Sequence, residues 1–431
     1  MLGNRAMNKP ELRQKLDFYS QHLNEHIMPF WLERAIDKER GGYFTCFNNT
    51  GDRLVSTDKY VWSQGRMVWL LAKLAEIDQE GDTDYLGLAQ MGYEFLRANC
   101  FLPSGHCAFL LSADGKPKEP VPGKGYDIST YADCFVVLGF AKYAAESGDV
   151  EALELALRLY DSIMARFEGR EFRTEPEPLP RGYRAHGIPM ILLNTSHELL
   201  RALRKHEHLA VGRVTGQCHR LVEDITGNFI MADGTIKELR HDTKAEDACI
   251  LGNYVNPGHS LEDMWFVIHY AVDLGGERRK ELIELACRVI ERSFALGWDE
   301  QYGGLLHFAD AKGGRPKGEL GEFADHPLTQ KLLTGWGDKL WWVHSEAVYV
   351  TLLAYSLTGK ENMWNLHEQV NDYTFATFPN HDPAIGEWIQ IRDRQGKPAD
   401  KVVALPVKDP FHISRNLILL VELLEQMLEV C

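Results

Sequence analysis

Two segments of this chain place a histidine where a helix begins, each beside polar partners. In Asn256-Pro257-Gly258-His259-Ser260-Leu261-Glu262, Asn256 is a capping residue type, Pro257 suits a first helical turn, and an apolar run from Met264 to Ile268 follows. His259 then stands near the positive end of the helix dipole, which lowers the pKa of an imidazole and favours its neutral, basic form. Glu262 lies three residues on and shares a face with His259, where it could orient the ring or bind a hydroxyl. The second segment, Pro410-Phe411-His412-Ile413-Ser414-Arg415, has the same form, with Asp409 or Pro410 at the helix start. Two bases of this kind on opposite sides of one carbon can take a proton from one face and deliver one to the other. That is the pattern expected for epimerisation at a carbon. Either segment alone also fits an ordinary capped helix with a surface histidine.

Further polar groups gather at other helix starts. In Lys59-Tyr60-Val61-Trp62-Ser63-Gln64-Gly65-Arg66, Trp62 and Arg66 share a face. An arginine among Met67, Val68, Trp69, Leu70 and Leu71 is costly unless it is paired or faces a cavity. Arg66 therefore reads either as an internal salt bridge or as a donor fork for sugar oxygens. Asp127 to Tyr131, Asn194 to Glu198 with His197, and Trp341 to Glu346 with Trp342 and Glu346 on one face, are the remaining clusters. Trp62, Trp342, Trp388 and Tyr43 are expected at the rim, stacking on sugar faces. The phosphate-binding, dinucleotide and nucleophile-elbow glycine patterns are absent. No HExxH occurs and the histidines lack ligand spacing, so neither a metal nor a cofactor is expected. Asp127, Asp133, Glu262 and Glu346 keep a glycoside hydrolase open, since an inverting enzyme needs two carboxyl groups about 6.5–9.5 Å apart.

The elements that must carry these groups are helices. Apolar residues recur at helical spacing over 11–35, 59–77, 85–99, 130–146, 151–167, 188–205, 210–224, 259–274, 278–295, 342–356, 361–378 and 412–428. Between them lie segments rich in Gly, Asp and aromatics that read as strand, tight turn, strand: 41–52, 104–115, 227–234, 303–314, 386–396 and, more weakly, 168–174. Alternate helices form an inner set marked by Arg66, Tyr131, His197, Glu262, Glu346 and Arg415, at successive gaps of 65, 66, 65, 84 and 69 residues. The Gly/Pro-rich stretch 311–338 accounts for the long gap. Asp37 to Tyr43 resembles Asp299 to Leu305, an internal repeat of the kind that marks serial units. Six helical hairpins can close into an (α/α)6 barrel or continue as an open superhelix. Without polar capping repeats at the ends, and without a linker, closure as one domain over 1–431 is expected.

Composition narrows the function. The chain has 431 residues, 45% hydrophobic and 25% charged, with a net charge of −15. This acidic balance argues against nucleic acid or an anionic membrane as partner. No apolar stretch reaches the 18 residues of a membrane span, and 1–17 lacks an apolar signal core. Eight cysteines stand singly, without a CxxC pair, which fits a reducing, cytoplasmic location.

Taken in order, Gly41-Gly42-Tyr43-Phe44, Lys59 to Arg66, Asn256 to Glu262, Leu340-Trp341-Trp342-Val343-His344-Ser345-Glu346, Gly386-Glu387-Trp388 and Pro410 to Arg415 resemble the N-acylglucosamine 2-epimerase family. That family includes the renin-binding protein and the cellobiose 2-epimerases. The resemblance implies an (α/α)6 barrel and a metal-independent reaction at C2 of a ring-opened sugar. It also implies His259 and His412 as the acid/base pair, Arg66 and Glu262 near the reacting oxygens, and Tyr131, Asn194, Trp342 and Trp388 along the pocket. The Trp-Trp-x-His-Ser-Glu and Phe-His-x-x-Arg forms look more like the N-acylglucosamine branch than the disaccharide branch. Disaccharide epimerases carry a histidine four residues after the third-helix Asn; here that place is Glu198 and the histidine is His197, so substrate choice is expected to turn on Asn194 and His197. The family precedent also implies a homodimer. An aldose–ketose isomerase using the same two bases, a hydrolase of the same fold, and a non-catalytic sugar-binding module are the alternatives.

Overall fold

The computed structural model describes residues 8–78, 81–243 and 248–430. Cys431 and the first seven residues of the expected domain lie outside them. Six inner helices, Val61–Ile77, Thr130–Ser147, Gly187–Lys205, Pro257–Leu274, Trp341–Thr358 and His412–Val430, alternate with outer helices Tyr85–Asn99, Val150–Glu168, Val211–Asp224, Gly276–Gly297 and Glu361–Thr377. The sixth outer place is taken by the start of the chain. Lys9–Gln21 and the π-helical turn His22–Ile27, which leads on into Met28–Arg34, pack on the last inner helix. Each inner helix touches the next, and Lys73 Nζ meets Glu422 Oε1 at 2.6 Å between the first and the last. The ring is closed: an (α/α)6 barrel.

The two sets differ because their surroundings differ. Val211–Asp224 buries Val214, Gln217, Cys218, Leu221 and Val222, one stripe at helical spacing, as suits a helix with a wet outer face. Thr130–Ser147 buries every residue from Ala132 to Ala141, as suits a helix enclosed on all sides. Its neighbour approaches backbone to backbone. A Cβ on Gly65 would lie 2.3 Å from the carbonyl oxygen of Phe135, and one on Gly139 would lie 2.5 Å from that of Gly65. Only glycine fits either place.

Most of the expected hairpins are present in reduced form; 168–174 is not one, because Thr174 bridges Ser129. Ile36 with Tyr43, Phe101 with Cys107, Ile230 with Ile236, and Trp298 with Leu305 make single bridges. Longer ladders run into inner-helix starts: Lys59–Tyr60 pairs with Leu110–Leu111, Tyr183–Ala185 with Leu239–His241, Tyr254–Val255 with Ala309–Asp310, and Lys339–Leu340 with Ile391–Arg392. They pin the N-terminal ends of these helices at one mouth of the barrel. The internal repeat is structural as well. Buried Lys59 binds Asp37 Oδ2 (2.8 Å) and the Gly41 carbonyl, while buried Lys339 binds Asp299 Oδ2 (3.2 Å) and the Gly304 carbonyl. Stretch 311–338 contains the helix Pro327–Gly335, whose Leu328 and Leu332 pack with Tyr183, Tyr254 and Phe308 over the same mouth.

Candidate active site

The starts of the inner helices converge on a cavity of about 250 Å³, the scale of a small-ligand site. Trp62 and Arg66, Tyr131, His259 and Glu262, Trp342, and His412 with Arg415 line it. The side that faces solvent is covered by Thr174 to Pro180, by Leu328 and Lys331, and by Val403 and Ala404. Glu177 and Lys331 form an ion pair across this cover.

One imidazole is held from behind. Asp409 Oδ2 caps the last inner helix by accepting from the His412 amide at 3.0 Å. Nδ1 of His412 bonds Glu346 Oε1 at 2.7 Å, and Arg66 Nη2 lies 3.3 Å from Nε2. The tautomer that satisfies both contacts carries its proton on Nδ1 and turns the Nε2 lone pair toward the cavity. Glu346 also accepts from Arg415 Nη2 (2.5 Å) and, through Oε2, from Trp265 (2.6 Å). Burial pushes its carboxyl up, but Arg415 and His412 outweigh that and hold it below its ordinary range.

The other imidazole has a matching support from a different source. Nδ1 of His259 bonds Glu238 Oε1 at 2.8 Å, and Asn256 Oδ1 caps the helix by accepting from the His259 amide at 3.2 Å. Its ring lies 5.2 Å from Trp342, and that of His412 lies 5.9 Å from the same indole. The two imidazoles thus flank one side chain. Gly258 makes room for it, since a Cβ there would meet Trp342 Cζ3 at 2.5 Å. The side chain of His259 is 31% exposed and that of His412 is 8% exposed, so the His259 side is the wetter one. The helix start was expected to lower the His259 pKa. Burial does push it down, but the Glu238 carboxylate, with Glu262, outweighs burial and raises it. Glu238 is itself held well below the usual carboxylate range, because His259 and His186 outweigh its burial.

Beside His412 lies Arg66. Nη1 donates to Asp409 Oδ1 at 3.0 Å, the guanidinium sits 4.1 Å from the Phe135 ring, and Nε is buried without a partner. Both sequence readings of this residue hold at once, as it is salt-bridged and cavity-facing. It leaves a donor poised for an oxygen that a ligand would bring.

Trp62, Arg66, Tyr131, His259, Glu262, Trp342 and His412 are thus brought together, and the other expected site residues are not. Glu346 stands behind His412 and does not line the cavity. Asn194 faces a second cavity, of about 700 Å³, at the far end of the barrel. His197 is buried against Asp273 at 3.0 Å. Trp388 is 1% exposed, donates to His22 Nε2 at 2.7 Å and stacks on Phe378. Tyr43 is buried with its hydroxyl on the Leu88 carbonyl. Both aromatics are core residues rather than rim. Glu262 does not orient His259; its Oε1 takes Arg415 Nη2 at 2.7 Å. Asp127 pairs with His106 and Asp133 with Arg166, away from the cavity.

Sequence reasoning missed Glu238 and His186, which reach the site through the Tyr183–Ala185 ladder and carry no local signal. Arg415 was visible in its motif, but its role as the shared donor to two glutamates was not.

This set can shuttle protons at a carbon and steady a nearby oxyanion. Glu262 and Glu346 do not suit the acid and base of inverting hydrolysis. Glu262, Glu346 and His412 offer ligand atoms within 4.8 Å of one another, closer than the about 6.5–9.5 Å required, and both glutamates share one guanidinium nitrogen. That guanidinium occupies the place where a cation would be held.

Comparison with known proteins agrees. The chain is 30% identical over 418 residues to the N-acylglucosamine 2-epimerase of Bos taurus, covering 94% of this chain and 90% of that one. It is 31% identical over 437 residues to the Homo sapiens enzyme of the same name, covering 96% and 92%. Among solved structures, cellobiose 2-epimerase from Spirochaeta thermophila DSM 6192 superposes with a TM-score of 0.75 at 21% identity, covering 97% of this chain and 98% of that one; at this identity the likeness is one of fold. The sequence model described as N-acylglucosamine 2-epimerase matches residues 42–414, a span that contains Arg66, Tyr131, Glu238, His259 and His412. The chain that builds this two-histidine cavity belongs to the N-acylglucosamine 2-epimerase family.

Proposed function

We propose that the protein interconverts N-acyl-D-glucosamine and N-acyl-D-mannosamine by moving the proton at C2, with His259 and His412 as the two bases. The observation that carries this reading is the matched pair of supports. Each imidazole has Nδ1 on a buried glutamate, which turns Nε2 to the other side of the ring, that of His412 beside Arg66, and both flank Trp342. In the ring-opened aldose, one Nε2 takes the C2 proton. The C2–H electron pair forms the C1=C2 bond, and the C1 carbonyl electrons move onto oxygen. Arg66 N–H donates to that oxygen as its charge develops. The second histidine, as its imidazolium, gives a proton to the opposite face of C2, and the electrons return to restore the aldehyde. No oxidant or cofactor enters this balance.

Substrate size and polarity point the same way. Met190, Ile191, Leu179 and Pro176 form an apolar side of the cavity that suits an acyl methyl group, and the cover from Thr174 to Pro180 favours a monosaccharide. The names of the relatives match this class.

We also propose the cytoplasm as its setting and a homodimer as its assembly, the first of which sedimentation and fractionation of native cells would test together with the second. Seven free cysteines stand among the described residues, and no helix there is long and apolar enough to cross a membrane.

The test is a panel of N-acylhexosamines, aldoses and β-1,4-disaccharides in heavy water, followed by proton NMR. Epimer formation with deuterium at C2 is the expected result. A ketose product would make it an isomerase, new reducing ends a hydrolase, and epimerisation without deuterium uptake would sink the two-base mechanism.

A further inference from the structure

We propose that His186 is a positioning residue for the His259 arm of the site: held between Asp263 and Glu238, it supplies the buried positive charge against which Glu238 sets the proton affinity of His259. This rests on the two-base reading above.

The geometry is a chain of four groups. His186 directly precedes the third inner helix and is wholly buried. Its Nε2 meets Asp263 Oδ2 at 2.8 Å, and its Nδ1 lies 3.5 Å from Glu238 Oε2. The other oxygen of Glu238 holds Nδ1 of His259 at 2.8 Å. The backbone fixes the register, because the His186 amide donates to the Glu238 carbonyl at 2.9 Å. Asp263 lies in the fourth inner helix, four residues after His259, so the chain returns to the element it started from.

A protonated His186 follows from the surroundings. Asp263 and Glu238 are both buried, and two buried carboxylates without a cation between them would be strongly unfavourable. Burial works against the imidazolium, yet the two carboxylates outweigh it and lift its pKa to about 10. The charged or titratable groups that face this cluster are Glu262 and His307 toward His259, Tyr131 and Tyr254 toward Glu238, and Glu177 toward those two tyrosines. None is a second cation for Glu238.

The His412 arm shows the same device in another material. Glu346 accepts from both His412 and Arg415, whereas Glu238 bonds His259 and feels His186 by charge alone, its Oε2 lying 3.5 Å from Nδ1 with neither atom hydrogen-bonded. Each catalytic imidazole therefore leans on a carboxylate that a second, buried cation has partly neutralised. A bare carboxylate at 2.8 Å would stabilise the imidazolium and hinder its release of a proton. The shared carboxylate lets the same nitrogen take a proton in one direction and give it in the other. Arg415 is always charged, whereas His186 is charged only while both of its carboxylates are.

Replacing His186 by Gln keeps a hydrogen-bond donor and removes the charge. Replacing Asp263 by Asn removes the group that keeps His186 protonated, and gives a second route to the same state if His186→Gln folds poorly. In both variants the full charge of Glu238 falls on His259. Its titration, followed by NMR of the full-length protein labelled with 15N in histidine and assigned through His259→Asn, should move to higher pH than in the wild type. In the direction in which His259 is the base, the acid limb of kcat/KM should move up with it. On that limb, kcat/KM falls about tenfold for each unit of rise. An unmoved His259 titration in folded variants, or one that moves down, overturns the proposal, whatever happens to kcat. A purely structural His186 would lower the melting temperature and leave both titrations in place. Failure of the two-base reading is separate: the wild type would then exchange no C2 proton on any sugar, while the NMR titration would still report on His186.

Discussion

Replacing each of the two proposed bases, His259 and His412, by Asn in turn separates the two arms of the proposed mechanism. Asn sets an amide nitrogen close to where Nδ1 stood, so the bond to Glu238 (2.8 Å) or Glu346 (2.7 Å) can persist while Nε2 is lost. The fold should survive. Glu346 remains bound to Arg415 at 2.5 Å, so neither variant strands a buried carboxylate, and exchanging one hydrogen bond for another changes stability by only about 1 kcal/mol. The chemical loss is larger. Losing one acid/base group removes about 10²–10⁴ in rate, or about 3–5 kcal/mol at 1.36 kcal/mol per decade. Epimerisation needs both bases and should fall by that factor in both directions. Deuterium washout needs only the base that faces the C2 proton. Each variant should therefore still exchange one epimer and not the other, and the two variants should favour opposite epimers. With His259→Asn the surviving base is His412, the more buried of the two, so its captured proton returns to substrate more often and washout per ionisation is lower. The assay is proton NMR in heavy water, started separately from each pure epimer. Washout of the same epimer by both variants, or loss of washout on both epimers in step with epimerisation, would refute the two-base arrangement.

Arg66→Lys keeps a charge but cannot hold Asp409 and present a second donor in one plane; steady-state kinetics should show kcat down about 10²–10³-fold with KM little changed, and a normal kcat would remove Arg66 from the oxyanion role. Glu238→Gln takes away the carboxylate that raises His259 against its burial, so the acid limb of the pH profile should move to lower pH. Its plateau should fall about 10- to 200-fold, from the about 1.5–3 kcal/mol of a charged hydrogen bond; an acid limb that stays in place would assign it to another group. For stability, His186 titrates near 10 when folded and near 6.5 when unfolded. Its contribution is complete below about pH 6.5 and is lost as pH rises through about 10. Calorimetry should therefore show the wild-type melting temperature falling more steeply from pH 7 to pH 10.5 than that of His186→Gln, and parallel curves would refute the assignment. His197→Ala should leave the ratio of kcat/KM for monosaccharide over disaccharide substrates unchanged, because His197 pairs with Asp273 away from the cavity; a changed ratio would return substrate choice to that residue.

What could be read from sequence follows from what is local. Helix periodicity is a local signal, so 85–99 is found as Tyr85–Asn99, and the helix proposed after Asn256 begins at Pro257 with Asn256 as its cap. The site residues that lie in the first two turns of inner helices were legible for the same reason: Arg66, Tyr131, His259, Glu262 and His412 each follow a recognisable helix start. Depth along the barrel was not legible. Gly187, Met190 and Ile191 line the cavity, while Asn194, seven residues after Gly187 and about 10 Å further along the axis at 1.5 Å per residue, faces the opposite mouth. Its polarity pointed to a site, and its distance from the helix start placed it at the wrong one. Trp388 misled in another way. Gly386 turns the chain at φ +72°, and the buried Lys408–Glu387 pair anchors the segment, so the aromatic points into packing against Phe375 and Phe378.

The two arms of the site divide along the same line. His412, Glu346 and Arg415 all lie on neighbouring inner helices, so helical geometry alone brings them together, and all three fall within segments that the sequence singles out. Glu238 reaches His259 from a loop after the bridge between Ile230 and Ile236, through the ladder of Tyr183–Ala185 with Leu239–His241, a pairing between residues more than fifty positions apart that no local period encodes. The barrel's repeat does not generate it either: Lys59 with Asp37 and Lys339 with Asp299 recur as a structural unit, but the cation behind Glu238 is a histidine and the cation behind Glu346 is an arginine. The arm built on helices carries a permanent charge, and the arm built on a loop carries one that a single substitution or a rise in pH can remove. On the proposal above, proton affinity at His259 is therefore the property of this site that His186 adjusts, and the His186→Gln titration measures it directly.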